Sequence, residues 1–214
     1  MLTIHHLGVS QSERIIWLCE ELGLPYELKH YTRDPVTRLA PPELRAVHPM
    51  GAAPVIEEDG IILAESGAIL EYILARHGQG RLVVPPQDPV AFATYLYWLH
   101  FANGNLQPVM GRSMLLSRLD LPADNPVRLS QQGRLTKAWQ AVEDRLGQSP
   151  FLGGPDLTAA DIMAVFSLTT MRAFMPVDLA PYPAIRAYLQ RIGTRDAYRR
   201  AMQKGDPGMA PLLT

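Results

Sequence analysis

The sequence predicts an α/β domain followed by an all-helical domain. Three observations carry that expectation. Strand and helix patterns alternate in the order βαβαββα over the first eighty or so residues. "HGQGRLVVPPQDP" (residues 77–89) clusters Gly, Pro and polar residues, as a linker does. Beyond it, only helical periodicity is found. The expected bounds are residues 1–79 for the first domain, 80–88 for the linker and 89–214 for the second.

The elements follow in order. "LTIHHL" (Leu2–Leu7) reads as a strand. Ile15, Leu18, Cys19 and Leu22 then recur at helical spacing, and Gly23 with Pro25 ends that helix. "YELKHYT" (Tyr26–Thr32) begins with apolar and charged residues in alternation, a strand pattern. A helix between the first two strands implies parallel pairing. "PPEL" opens a short helix with proline in its first turn. "PVIEEDGIIL" reads as strand, Asp59-Gly60 turn, strand, which is an antiparallel hairpin. From Ser66, residues Ile69, Leu70, Ile73 and Leu74 keep helical spacing up to Gly78. The expected sheet is four-stranded and mixed.

In the second domain, "DPVAFATYLYWLHFANGNLQPVMGRSMLL" is a long, largely apolar helical stretch interrupted near Pro108. Asn125-Pro126 starts another helix, with Leu135, Ala138, Trp139, Val142 and Leu146 on one face and Gly147 at its end. "LTAADI" has the spacing of a capping box, in which Thr158 caps, Asp161 reaches back and Leu157 can staple onto Ile162. Ile185, Tyr188, Leu189 and Ile192 mark one more helix. Trp17, Trp98 and Trp139 are expected in the core. Arg191, Arg195 and Arg199, at i, i+4 and i+8, are expected on a solvated face.

Composition narrows the function classes. With 214 residues and 47% hydrophobic content, the chain can bury a sizeable core. Its 20 Lys and Arg balance 21 Asp and Glu, which argues against nucleic acid or an acidic membrane as the main partner. Cys19 is the single cysteine, so no intrachain disulfide can form, and a reducing, cytoplasmic setting fits. "MLTIHHLGVSQSER" lacks the basic start and apolar core of a signal peptide, and no apolar run is long enough to span a bilayer. His5 and His6 are adjacent on a strand and point to opposite faces, a poor metal pair. No HExxH, Cys-His cluster, GxSxG or phosphate loop is present, and no metal is expected.

Three segments together resemble a known family. "GAAPVIEEDGIILAESGAILEYI" resembles the second half of the glutathione-binding domain of cytosolic glutathione transferases. "LGVSQSERIIWLCEELGLPYELKHYTRD" resembles its first half, and "GGPDLTAADI" the capping-box helix of the C-terminal domain. The resemblance covers nearly the whole chain. It implies a thioredoxin-like first domain, glutathione as co-substrate with no tightly bound cofactor, a small hydrophobic electrophile and a homodimer with Met50 reaching the partner. The serine-rich first loop resembles the serine-type classes, including a group shared by bacteria and fungi.

The chemistry of the site can be stated from the residues. Glutathione carries two carboxylates, one ammonium and a thiol. A helix N-terminus offers free N–H groups and partial positive charge, so it binds a carboxylate. Ser66 adds a hydroxyl there, and Glu65 can accept from the neighbouring ammonium. Glu65-Ser66 thus reads as a clamp for the γ-glutamyl group, or else as an ordinary helix cap with a dipole-complementing acid. The resemblance implies that Pro54 is cis and that the Ala53 backbone pairs with the cysteinyl unit. A thiolate also needs a donor. Ser10 lies between the first strand and helix, four residues before Arg14, the spacing at which serine-type transferases carry their serine. Ser10-x-x-Glu13 is equally the spacing of a capping box, and the two roles are compatible. Ser12 is the rival donor.

The stripe His100, Asn103 and Gln107 reads either as a partly solvated helix face or, by resemblance with Phe101 and Met110, as the lining of the electrophile pocket. One departure stands out. Many family members carry Lys or Gln two residues before the proline to bind the glycyl carboxylate. This chain has Ala52 there, so Arg38 in the preceding loop is the expected substitute. A glutathione-dependent disulfide or peroxide reductase and a non-enzymatic scaffold are the alternative functions.

Overall fold

The computed structural model describes residues 1–37 and 39–214. Its strands are β1 (Leu2–Leu7), β2 (Tyr26–Tyr31), β3 (Val55–Glu58) and β4 (Ile61–Ala64). Its helices are α1 (Glu13–Leu22), α2 (Pro42–Val47), α3 (Ser66–His77), α4 (Pro89–Phe101), α5 (Gln107–Leu116), α6 (Pro126–Gln148), α7 (Ala159–Leu168), α8 (Pro183–Gly193) and α9 (Asp196–Gly205). Contacts gather the chain into two units. One is Met1–Val83 with Gly193–Pro211, and the other is Val84–Ile192 with Leu212–Thr214. This differs from a single boundary at residues 80–88, because residues 193–211 fold with the sheet rather than with the helices that precede them.

In the first unit the strand order is β2-β1-β3-β4. β1 and β2 are parallel, and β1–β3 and β3–β4 are antiparallel, as the connections require. β1 is an interior strand, so all six of its residues are buried. Leu7 clusters with Leu44 of α2 and Ala53, whereas the neighbouring His6 points the other way, toward the head of α1.

The amphipathic α9 packs on α1. Trp17 meets Tyr198 edge to face at 5.0 Å. Arg195 grips Glu21 with two bonds of 2.7 and 2.8 Å, and Arg200 reaches Glu20 at 2.8 Å. Arg195 is therefore not on a solvated stripe. α8 ends at Gly193, so the spacing that aligned Arg191 with Arg195 does not continue through one helix.

In the second unit, α7 is buried along its whole length and packs against α4. Between α4 and α5, residues Ala102–Leu106 widen into a π-helical turn. The cause is Pro108, which has no N–H to donate and whose ring would strike the carbonyl four residues back. Asn125 caps α6, accepting from the N–H groups of Val127 and Arg128. The expected capping box forms around Asp161, which accepts from the Thr158 N–H at 2.8 Å and the Thr158 hydroxyl at 3.1 Å. Gly153 is required beside it, because a Cβ there would overlap the Thr158 side chain. The three tryptophans are core residues. No helix among the described residues is long and apolar enough to cross a membrane.

Candidate active site

The site is built in the first unit, where the β1–α1 loop, the β3 approach and the head of α3 converge on shared hydrogen bonds. Val9 adopts φ 51°, a left-handed conformation that β-branched residues avoid. It is held there from both sides. Its N–H donates to Asp206 at 2.8 Å, across 197 residues of sequence. Arg33 donates to the carbonyls of Gly8 and Val9 at 3.2 and 3.3 Å. This turn presents Ser10 and Ser12.

The two serines are hydrogen-bonded Oγ to Oγ at 2.7 Å. Both are buried, but Ser10 retains 6% exposure and Ser12 has none, so Ser10 is the outer member of the pair. α1 begins only at Glu13, with Ser12 at the cap position and no side-chain cap bond. The capping-box reading of Ser10-x-x-Glu13 is thus not what the structure forms. The Ser10 hydroxyl is engaged with Ser12 instead.

Glu65 and Ser66 open α3. Glu65 occupies the cap position at φ 73°, and its side chain caps nothing. Ser66 is the first helical residue, is buried, and accepts from the Arg14 guanidinium at 3.2 Å. Neither side chain caps the helix, although Glu65 stands where an acid complements the helix dipole. A non-glycine residue held in this region costs about 1–3 kcal/mol, and such strain clusters at functional sites. Arg14 is fully buried, and burial lowers its guanidinium to about 9. It also donates to Gln11 Oε1 at 3.0 Å, and Gln11 Nε2 donates to the Ala53 carbonyl at 3.3 Å. One chain of bonds thus ties the serine loop, the cis Ala53–Pro54 bond and the head of α3 together.

Sequence reasoning missed Gln11 as a bridge and Arg14 as an anchor of Ser66. The available signal was a lone arginine on the buried side of an apolar helix. It also placed His6 only as a poor metal ligand and gave Asp206 no role. His6 Nδ1 lies 2.8 Å from Ser12 Oγ, and its Nε2 lies 3.4 Å from Asp206 Oδ2. His5 points to the opposite face, toward Tyr31 at 2.8 Å and Glu57 at 2.9 Å, as adjacent strand residues must. Cys19 is no rival for the chemistry, because burial pushes its thiol up to about 12 and keeps it protonated.

The expected electrophile residues lie in the second unit, along α4, the π-helical turn and α5. His100 and Phe101 line an open hollow of about 560 Å³ with Leu96, Tyr97 and Asn105. Asn103 and Gln107 are half-buried at the π-helical turn. Met110 is fully buried and can only back such a pocket, not line it. Arg38 lies outside the described residues.

A βαβαββα sheet unit with a cis-proline loop beside a serine-bearing helix head, carried on one chain with an all-helical unit, defines a thioredoxin-like fold followed by a helical one. Family models bear this out, since the glutathione S-transferase N-terminal domain matches residues 5–81 and the C-terminal domain residues 123–191. The chain is 30% identical to glutathione S-transferase 3 of Schizosaccharomyces pombe, over all of this chain and 92% of that protein. It is 28% identical to the disulfide-bond oxidoreductase YfcG of Escherichia coli, over 97% of each. A crystal structure of a glutathione S-transferase from Actinobacillus pleuropneumoniae superposes with a TM-score of 0.87 at 33% identity, covering 100% of this chain and 99% of that one. The chain belongs to the glutathione S-transferase family, and it is an enzyme that takes glutathione as co-substrate.

Proposed function

We propose that this transferase is of the serine type, that Ser10 faces the glutathione sulfur, and that the thiolate attacks the electrophilic carbon of a small hydrophobic molecule or the oxygen of a peroxide. The observation that carries the reading is the position of Ser10 as the accessible end of a buried hydrogen-bonded chain, tied through Gln11 and Arg14 to Ala53 and Ser66. Glu65 and Ser66 clamp the γ-glutamyl group, and the Ala53 backbone pairs with the cysteinyl unit next to Pro54. His100, Phe101, Asn103 and Gln107 belong to the electrophile site. A cytoplasmic homodimer is part of the same reading, with the exposed Met50 as a residue that reaches the partner. Conjugation of aryl halides and epoxides, set beside turnover of peroxides and disulfides, tests the reaction class. Absence of both conjugation and peroxide turnover would overturn it.

A second reading is supported by the similarity to the E. coli disulfide-bond oxidoreductase. Cys19 is buried and protonated, so a reductase on this chain draws both electrons from glutathione. Two glutathione molecules then reduce one disulfide to two thiols and leave as glutathione disulfide.

The clamp makes a quantitative prediction. Ser66→Ala and Glu65→Gln each weaken glutathione binding by about 1.5–3 kcal/mol, the range for hydrogen bonds to charged groups. Titration calorimetry reads this directly, and wild-type affinity in both variants would remove the clamp. Arg38→Ala is expected to raise the Michaelis constant for glutathione while leaving the turnover number nearly intact, because a carboxylate contact is made equally in ground and transition states. Ala52→Lys should partly rescue it. Unchanged glutathione affinity in Arg38→Ala would leave the glycyl carboxylate in water.

A further inference from the structure

A chain of four side chains, Ser10, Ser12, His6 and Asp206, runs inward from the site. Ser10 Oγ lies 2.7 Å from Ser12 Oγ, and Ser12 Oγ lies 2.8 Å from His6 Nδ1. His6 Nε2 lies 3.4 Å from Asp206 Oδ2, within ion-pair distance, and neither atom makes a hydrogen bond among the described residues. Asp206 Oδ1 accepts from the Val9 N–H. Ser12 and His6 are fully buried, and Asp206 nearly so. The approach of the α9 end is close, since a Cβ on Gly205 would lie 3.0 Å from Ile16 and 3.3 Å from the His6 ring. His30 on β2 meets the ring edge-on at 5.5 Å. Arg33 brings a cation to the same loop, where it holds the Gly8 and Val9 carbonyls.

Counting protons fixes the direction of this chain. Burial pushes the Asp206 carboxyl up, but the bonds from His6 and the Val9 N–H outweigh it and hold it below the usual carboxylate range. Asp206 is therefore an acceptor at neutral pH. The carboxylate 3.4 Å from Nε2 favours the tautomer with the hydrogen on that nitrogen, which in a neutral imidazole leaves Nδ1 a lone pair. Nδ1 then accepts from the Ser12 hydroxyl, and Ser12 Oγ accepts from the Ser10 hydroxyl. In this state Ser10 has spent its only proton inward. It shows a thiol an acceptor, not a donor. For Ser10 to donate to a thiolate, every bond in the chain must reverse, and reversal requires one more proton on Nδ1.

We propose that the thiol of bound glutathione supplies that proton, so that Ser10, Ser12 and His6 form a relay that takes it up while Asp206 positions and balances the resulting imidazolium. The inference rests on the glutathione reading of the site. The S–H bond breaks as Ser10 Oγ gains a hydrogen. The former Ser10 hydrogen passes to Ser12 Oγ, and the former Ser12 hydrogen passes to Nδ1. One proton has moved from sulfur to nitrogen, no electron has changed hands, and the thiolate now accepts from the Ser10 hydroxyl. The charge separation stays within the protein, and none of it is released to solvent. Asp206 is a positioning residue, acting through His6.

The measurable consequence is the number of protons lost to buffer. Free glutathione is only about 3% ionised at pH 7, so forming a bound thiolate must remove close to one proton per site. Titration calorimetry in buffers of different ionisation heat counts that proton. S-methylglutathione, which has none to give, corrects for other groups. With thiolate absorbance developed in the wild type at neutral pH, the difference between the two ligands is expected to be close to zero protons per site. Release of about one proton per site from the wild type would overturn the relay. His6→Gln, which can hydrogen-bond but cannot take a proton, is expected to release about one proton for each thiolate formed and to move thiolate formation up by about one pH unit or more. Asp206→Asn tests the same point without altering the ring, with the same direction expected. Wild-type proton counts and midpoints in both variants would also overturn the relay. Failure of both ligands to bind the wild type would overturn the glutathione reading itself, and the relay with it.

Discussion

Ser10→Ala is expected to raise the ionisation midpoint of bound glutathione and to slow turnover at neutral pH. A thiol with an ordinary pKa near 8.5 is about 3% ionised at pH 7, and lowering that value by about two units is worth roughly 2.7 kcal/mol. Losing the full effect would cut the thiolate fraction at pH 7 about 25-fold. The sign with pH follows. The deficit is largest at neutral and acidic pH and closes as pH rises through the free thiol's own pKa, where both proteins hold thiolate. Thiolate absorbance and kcat/KM followed against pH read the same shift in two ways. Folding should change little beyond loss of the bond that Ser10 Oγ accepts from the Ser12 N–H at 3.3 Å, worth about 1 kcal/mol. An unchanged midpoint would remove Ser10 from the mechanism. Ser12 does not replace it by direct contact, since it is fully buried behind Ser10. A loss in Ser12→Ala that disappears once Ser10 is also replaced would mark Ser12 as acting through Ser10.

The largest expected loss of stability is Asp161→Ala. Asp161 is fully buried and accepts from the Leu152 N–H at 2.8 Å, the Thr158 N–H at 2.8 Å, the Thr158 hydroxyl at 3.1 Å and the Tyr188 hydroxyl at 3.0 Å. It joins the loop before α7, the α7 N-terminus and α8. Alanine leaves these donors buried, each costing about 1–3 kcal/mol if unmet, with relaxation recovering part of the sum. A net loss of about 3–5 kcal/mol is expected, comparable to breaking a buried network by removing one partner. In a chain of this size that lowers Tm by about 10 °C. Asp161→Asn keeps one acceptor oxygen and should lose less. Thermal and urea unfolding measure both variants. Asp161→Ala within about 1 kcal/mol of wild type would show that the network carries no net stability.

Much of the molecule was legible because its signals are local. The Asp59-Gly60 turn, the apolar runs on either side and the helix between β1 and β2 set the strand order and sense from neighbours in sequence. Thr158 and Asp161 form their capping box within one turn, so the spacing alone announced it. Pro108 marked the break between α4 and α5, although only the structure shows it as a π-helical turn. Family resemblance carried the positions of Ser10, Ala53, Pro54, Glu65 and Ser66, since nothing in their spacing excludes ordinary caps and strands.

Other features could be decided only by the tertiary fold. Hydrogen-bond direction and burial depend on partners far away in the chain. Asp206 meets Val9 and His6 only after α9 has packed on α1, and no periodicity links residues 197 apart. Arg195 looked like one of three evenly spaced surface arginines until that packing placed it on Glu21. Ser10 and Ser12 are the same residue type two positions apart. What separates them is that the strained turn at Val9 leaves one at the surface of the site and buries the other against His6. By itself the sequence determined which elements form and which chemistry they could host. The fold decided which serine lies outermost and which is buried against His6, because burial and hydrogen-bond partners are properties of three-dimensional neighbours and not of order along the chain.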